Sequence, residues 1–142
     1  MSSNLGKFNL TIENFLNDLL KIFPTNMEIK LFREKFLLAK SANPKLTLLV
    51  FLKYAYPYKS KIIAEDEDFF LSESLTNEFL NNPDLKKDIA ESGERNDDEY
   101  ILNKALNLKE LWKKMDEDQR KTVWTYFKVL IVLCERYVKE HI

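Results

Sequence analysis

Among the side chains of this sequence that could carry out chemistry, carboxylates form the densest clusters. They form clusters at 65–68 (EDED), 97–99 (DDE) and 116–118 (DED). Such groups can hold Ca²⁺ or carry out acid–base catalysis, and an EF-hand loop needs a glycine at its sixth position. No cluster has that glycine. We interpret the clusters as helix caps and solvated loops, predict no metal or cofactor, and regard 65–68 as the first place where an enzyme's carboxylate would lie.

The single cysteine and the single histidine are the other reactive side chains. Cys134 lies within an apolar helical stripe, and His141 is one residue from the last position. A cysteine nucleophile needs an activating base, and a zinc site needs several Cys or His ligands. We therefore predict that Cys134 is a small buried residue and that no catalytic site is built around it.

The segment 53–61, KYAYPYKSK, interleaves tyrosines with lysines. Aromatic rings that stack on bases, beside lysines that bind phosphate, are typical of proteins that bind single-stranded nucleic acid. The alternative is a helix end whose tyrosine rings pack inward while their hydroxyls stay wet. The candidate interaction residues of this segment are Lys53, Tyr54, Tyr56, Tyr58, Lys59 and Lys61.

Two tryptophans, Trp112 and Trp124, are the remaining candidate interaction residues. Tryptophan is enriched at the hot spots of protein interfaces. Such residues also pack consecutive helices together, and we favour that interpretation here.

The composition favours helices. Of 142 residues only two are glycine and four are proline, which disfavours a β-sandwich or barrel and excludes a glycine-rich phosphate loop. The N-terminus has no signal-peptide pattern, and the longest apolar runs fall short of a membrane span. One cysteine fits a reducing, intracellular compartment, so we expect a soluble protein there.

Charge is unevenly distributed along the chain. Residues 1–64 carry ten Lys/Arg against four Asp/Glu, whereas residues 65–99 carry three against thirteen. The acidic middle either pairs with the basic flanks or faces a basic partner. We favour internal pairing, because it requires nothing outside the chain.

The pattern of apolar residues predicts an all-α domain over 9–142, preceded by a flexible tail at 1–8. We expect a single bundle of about six or seven helices, with a polar loop near 92–98. The segment 45–56 is apolar almost all round, which predicts a central helix covered on several sides. Ser72 can cap one shorter helix and Asn82 can open another, and Asp116 with Gln119 forms a capping box that opens a long last helix.

The C-terminal third carries a family resemblance. The residues 108–112 (LKELW), a short Asp-rich turn and 121–130 (KTVWTYFKVL) resemble a recurrent motif of small uncharacterised proteins of nucleocytoplasmic large DNA viruses. Tyr56-Pro57 followed by EDFF at 67–70 is similar to a second element of those proteins. Val123 and Thr125 replace the isoleucine and lysine that are typical there. The resemblance implies a giant-virus source, in the virion or the viral factory, and carries over no catalytic residue.

From these observations we expect a non-enzymatic viral structural or protein-interaction module, with a protein partner or self-association. The alternative is a nucleic-acid-associated factor in viral replication or transcription, acting through 53–61 and the basic N-terminal part.

Overall fold

The computed structural model describes residues 3–91, 93 and 97–141. Within those residues the chain is helical and has no strand, so the predicted all-α class with a long C-terminal helix is confirmed. The α-helices are α1 (Asn4–Ile22), α2 (Met27–Ala42), α3 (Leu46–Tyr54), α4 (Lys59–Ile63), α5 (Glu67–Phe70), α6 (Glu73–Leu80), α7 (Pro83–Glu91), α8 (Asp98–Lys114) and α9 (Glu117–Glu140), with a 3-10 turn at Tyr56–Tyr58. The described part thus has nine α-helices, more than the six or seven that we expected, because α4 and α5 are short helices in a stretch with little periodicity.

The chain divides into two units. Unit 1 comprises Met1–Glu65 with Lys121–Ile142, and unit 2 comprises Asp66–Arg120. The boundary after Glu65 lies where the basic segment 1–64 is followed by the acidic segment 65–99, whereas we predicted one domain over 9–142. The two units are described separately below.

The core of unit 1 is built from aromatic rings on three helices. Phe8 of α1 contacts Phe51 of α3 edge-on, with ring centroids 5.5 Å apart. Phe127 of α9 lies 5.6 Å from Phe15 and 6.4 Å from Phe51, centroid to centroid. Because aromatic pairs in such geometries add to the free energy of apolar burial, these rings hold α1, α3 and α9 together.

The N-terminal segment is helix and not a tail. The Ser3 hydroxyl accepts a hydrogen bond from the Gly6 amide at 2.9 Å and caps α1, and Phe8 is fully buried. Predicting a flexible segment over 1–8 was therefore wrong from residue 3 onward, while residues 1 and 2 lie outside the described part. The buried ring of Phe8 explains why the helix extends so far back.

The helix α3 is covered on one side only. Leu48 and Phe51 are buried, but Leu46, Leu49 and Val50 are between 42% and 46% exposed. Helices α1 and α2 pack on α3, and they leave its outer face open. Our expectation of a central helix covered on several sides was therefore wrong, since an apolar composition does not supply the neighbours that would cover it.

Unit 2 consists of short, individually capped helices. Ser72 caps α6 and Asn82 caps α7, as their sequence patterns predicted, and α8 runs unbroken through Asn107. Of the predicted polar loop at 92–98, residues 92 and 94–96 lie outside the described part. Gly93 has a φ of 84°, a conformation that suits glycine. Leu75 and Met115 are the buried apolar residues of this unit's described part.

Across the described ranges, no helix combines the length and the hydropathy needed to cross a bilayer.

Candidate functional site

The carboxylate of Glu65, in unit 1, lies between two lysines of α9. Its oxygens lie 3.0 Å from Nζ of Lys121 and 2.5 Å from Nζ of Lys128. Hydrogen bonds from Lys128 and Lys121 lower the pKa of the Glu65 carboxyl. A general acid at neutral pH needs the opposite shift, so this group acts as an ion-pair partner of α9.

The next two carboxylates of this cluster, in unit 2, are also engaged. Asp66 caps α5 by accepting from the Phe69 amide at 3.1 Å. Glu67 accepts a hydrogen bond from the indole N–H of Trp112 and lies 3.5 Å from the guanidinium of Arg120. Two of the four carboxylates of this cluster, Glu65 and Glu67, thus pair with basic residues of the C-terminal part of the chain, in the manner that we favoured from the charge distribution.

The other two carboxylate clusters each contribute a helix cap. Asp97 accepts from the Tyr100 amide at 2.9 Å and starts α8. Asp116 Oδ1 accepts from the Gln119 amide at 2.8 Å, and Gln119 Oε1 accepts from the Asp116 amide at 2.9 Å. The predicted capping box is confirmed. Across residues 3–91, 93 and 97–141 there is no group of three or more His, Cys, Asp or Glu side chains that could hold a metal ion.

Cys134 is fully buried in α9, as predicted. Burial, and secondarily the charge of Glu135, raise the pKa of its thiol to about 12. His141 contacts the carbonyl oxygen of Tyr137 through Nδ1 at 2.9 Å, and its ring stacks on that tyrosine. At neutral pH the cysteine is a protonated thiol, which is a poor nucleophile.

The tyrosine–lysine segment meets an acidic residue that the sequence did not connect to it. The Tyr56 hydroxyl donates to Glu135 Oε2 at 3.0 Å, and Nζ of Lys59 lies 2.7 Å from the same oxygen. Hydrogen bonds from Lys59 and Tyr56 lower the pKa of Glu135, and the bond to Glu135 raises the pKa of Tyr56 and of Lys59. Two of the six candidate residues therefore join the 3-10 turn and the start of α4 to α9.

The other residues of this segment interact within the chain as well. Nζ of Lys53 lies 5.2 Å from the ring centroid of Tyr54, a cation–π distance. Tyr58 and Lys61 are half-buried and have contacts of their own. The segment thus spans the end of α3, the 3-10 turn and the start of α4, and each of its six candidate residues has a contact within the chain.

A cleft of about 640 Å³ lies beside Tyr56 and Glu135 in unit 1. Its walls include Leu52, Tyr56, Val132, Glu135 and Val138. Of its polar wall residues, Tyr56 and Glu135 are bonded to each other, and Arg136 and Lys139 complete the lining.

The two tryptophans lie in different units and are half-buried. In unit 2, Arg120 lies 5.6 Å from the Trp112 ring centroid and donates from Nε to the Trp112 carbonyl at 3.0 Å. With the indole N–H on Glu67, Trp112 thus braces the turn between α8 and α9. In unit 1, Trp124 lies on α9 and has intrachain contacts.

Several large apolar side chains of the described chain are exposed to solvent. Seven large apolar side chains on α2 and α3, which pack against each other in unit 1, are exposed by 42% to 73%. We call this set the α2–α3 face; its members are Met27, Leu31, Phe32, Leu38, Leu46, Leu49 and Val50. We did not predict this face from the sequence. Three of its four members on α2 lie opposite Ile29 and Phe36 and could have been found from their spacing, whereas Phe32, three residues from Ile29, lies beside the buried side.

Comparison of the chain with protein families, with curated proteins and with solved structures gave no match.

Proposed function

We propose that this chain is a non-enzymatic protein-interaction module that binds its partner through the α2–α3 face. The observation that carries the proposal is the exposure of seven large apolar side chains on two adjacent helices, with Leu38 at 73%. Single exposed apolar residues are ordinary, whereas a concentration of them marks an interaction surface.

The energetics of burial support this assignment. Burying a fully exposed side chain of this kind is worth about 1.5–3 kcal/mol, and the seven side chains keep 42% to 73% of their surface in water, so a corresponding fraction remains to be recovered. A partner that covers the face recovers this free energy. The aromatic member, Phe32, is 59% exposed and offers the kind of anchor that dominates interface energetics.

The non-enzymatic part of the proposal rests on how reactive groups are used. Glu65 and Glu67 are held by cationic partners, Asp66 and Asp116 cap helices, and Cys134 is a buried thiol with a raised pKa. These are structural roles, and the buried thiol has no exposed side from which to attack a substrate.

The viral setting is proposed on the family resemblance alone, that is, on the motif at 108–130 and the element at 56–70. If it holds, the partner is a component of the virion or the viral factory, in a reducing compartment of the host cell. Purified virions that lack this chain would contradict packaging but not the interaction itself.

The nucleic-acid alternative has less support. Tyr56 and Lys59, two of its six residues, are bonded to Glu135. A base or phosphate would have to displace that carboxylate. Binding of single-stranded DNA or RNA at low salt, lost with Lys53→Ala/Lys61→Ala, would favour the alternative.

Site-specific photo-cross-linking in cells of the natural source tests the proposal. A photoreactive amino acid replaces Leu38 on the α2–α3 face or, as a matched control, Leu108 of α8, which is 66% exposed. We expect discrete protein adducts from position 38 and not from position 108. Equal adduct patterns, or none from position 38, would contradict the assignment of the face.

A further inference from the structure

We infer that the partner of α2 is a second copy of this chain, bound through its own α2 in the antiparallel direction. This inference rests on the proposed function and names the occupant of one part of the α2–α3 face. The order of apolar and charged residues along α2, together with their exposure, supports it.

The helix α2 has apolar residues on two opposite sides. Ile29 and Phe36, seven residues apart, are buried on the side that faces the rest of unit 1. On the opposite side Met27, Leu31 and Leu38 are exposed by 62%, 50% and 73%. Their spacings of four and seven residues place them in one stripe along the helix. A helix that is apolar on both sides is suited to packing on both.

Charged residues of both signs border this stripe. Glu28 and Lys35, seven residues apart, lie along one edge. Lys30 and Glu34, four residues apart, lie along the other edge. Each edge thus carries one acid and one base, which is the arrangement found beside the apolar seam of paired helices.

The order of these residues is self-complementary in the antiparallel direction. With a twofold axis close to residue 32, Leu31 meets Leu31 of the second copy, and Met27 meets Leu38 of the second copy. In antiparallel pairs each edge faces its own equivalent edge. One edge then sets Lys30 opposite Glu34, and the other sets Glu28 opposite Lys35. Both edges are attractive in the same register that aligns the apolar residues, and the opposed helix dipoles add to this.

The composition of the edges also argues against a lipid surface as the occupant. A helix that lies on an anionic membrane carries lysine or arginine along its polar margins. Here Glu28 and Glu34 would be pressed toward anionic headgroups, one at each edge. Complementary charges on a second α2 remove that repulsion.

The size of the contact sets the expected affinity. A helix of 16 residues is about 24 Å long, and one helix face buries less area than a stable interface of standard size. We therefore expect a dimer with a dissociation constant of roughly 1–100 μM.

Sedimentation velocity of the full chain, from about 1 to 300 μM, measures this association. We expect the wild type to convert from monomer to dimer over that range. Leu31→Asp should stay monomeric, and Leu108→Asp, a matched change on α8, should dimerise like the wild type. A wild type that is monomeric throughout would overturn the inference, as would dimerisation lost equally in both variants. Circular dichroism checks that each variant remains helical.

A charge exchange tests the register and the direction. Lys30→Glu turns two attractive contacts per dimer into repulsive ones and should weaken dimerisation about tenfold. The double variant Lys30→Glu/Glu34→Lys should restore it to within about threefold, because the pair is then reversed and intact. In a parallel dimer Lys30 would face Glu28 and Glu34 would face Lys35, so the exchange would leave like charges together. A double variant as weak as the single one therefore overturns the antiparallel arrangement.

The outcomes separate this inference from the proposed function. A monomeric wild type that still cross-links another protein from position 38 overturns the self-association and leaves the interaction module standing. Leu31-dependent binding to phosphatidylserine vesicles by a monomeric chain overturns the inference in favour of a lipid surface.

Discussion

Asp116 and Gln119 cap each other at the start of α9, each side chain accepting a hydrogen bond from the other's backbone amide, at 2.8 and 2.9 Å. The acidic residues around them, Glu117 and Asp118, lie in the first turn of the helix. Negative charge there is favourable because the helix dipole and the unpaired amides are positive at that end. The carboxylates at 116–118 therefore stabilise the start of α9.

Replacing Asp116 by alanine removes one of these two bonds and leaves the Gln119 amide without its cap. We expect the free energy of unfolding to fall by about 1 kcal/mol. Chemical denaturation measures the change, with Asp116→Asn as the control, since an asparagine side-chain oxygen can still accept from the Gln119 amide. An Asp116→Ala variant as stable as the wild type would contradict the observed start of α9.

The carboxylate of Glu65 makes stability depend on acid pH. Its pKa is lowered in the folded chain, so the ion pairs with Lys128 and Lys121 stabilise the fold above the unfolded-state pKa of about 4.3. That contribution is lost as the pH falls through the folded-state pKa. We expect Glu65→Gln to be less stable than the wild type near pH 7 and equal to it once Glu65 is protonated.

The pH profiles of unfolding for the wild type, Glu65→Gln and the exposed control Glu91→Gln test this expectation. A deficit of Glu65→Gln that is the same at every pH would show that its ionised carboxylate contributes nothing.

The Cys134 thiol should be unreactive in the folded chain. It is fully buried, and burial raises its pKa to about 12, so both access and thiolate are lacking near neutral pH. We expect alkylation by iodoacetamide at pH 8 to occur at the rate of unfolding and to become fast in denaturant. Rapid alkylation of the native chain would mean that α9 does not bury this position.

Local patterns in the sequence predicted the helix starts well. Ser72, Asn82 and Asp116 were identified as caps because a cap depends on residues three positions away. The start of α1 was predicted wrongly. The cap at Ser3 is local, but the first turn of α1 is also stabilised by the burial of Phe8 against distant parts of the chain, which the local sequence does not show. Pairings over long chain distances, such as Tyr56 and Lys59 with Glu135, leave no local pattern and were not predicted.

The α3 members of the α2–α3 face were beyond prediction for a related reason. Leu48 and Leu49 are adjacent and chemically alike, yet one is fully buried and the other is 46% exposed. Which side of an apolar helix is covered depends on the neighbours that pack there, and composition alone does not specify them.

One matched pair of substitutions tests most directly whether folding leaves the α2–α3 face uncovered. Leu38→Ala and Leu48→Ala remove the same atoms from side chains that are 73% and 0% exposed. The free energy of unfolding is measured by urea denaturation at a protein concentration below the expected dimer dissociation constant. We predict a loss of about 2–5 kcal/mol for Leu48→Ala and a change within about 0.5 kcal/mol for Leu38→Ala. A comparable loss in both variants would mean that the face belongs to the core and is not a binding surface.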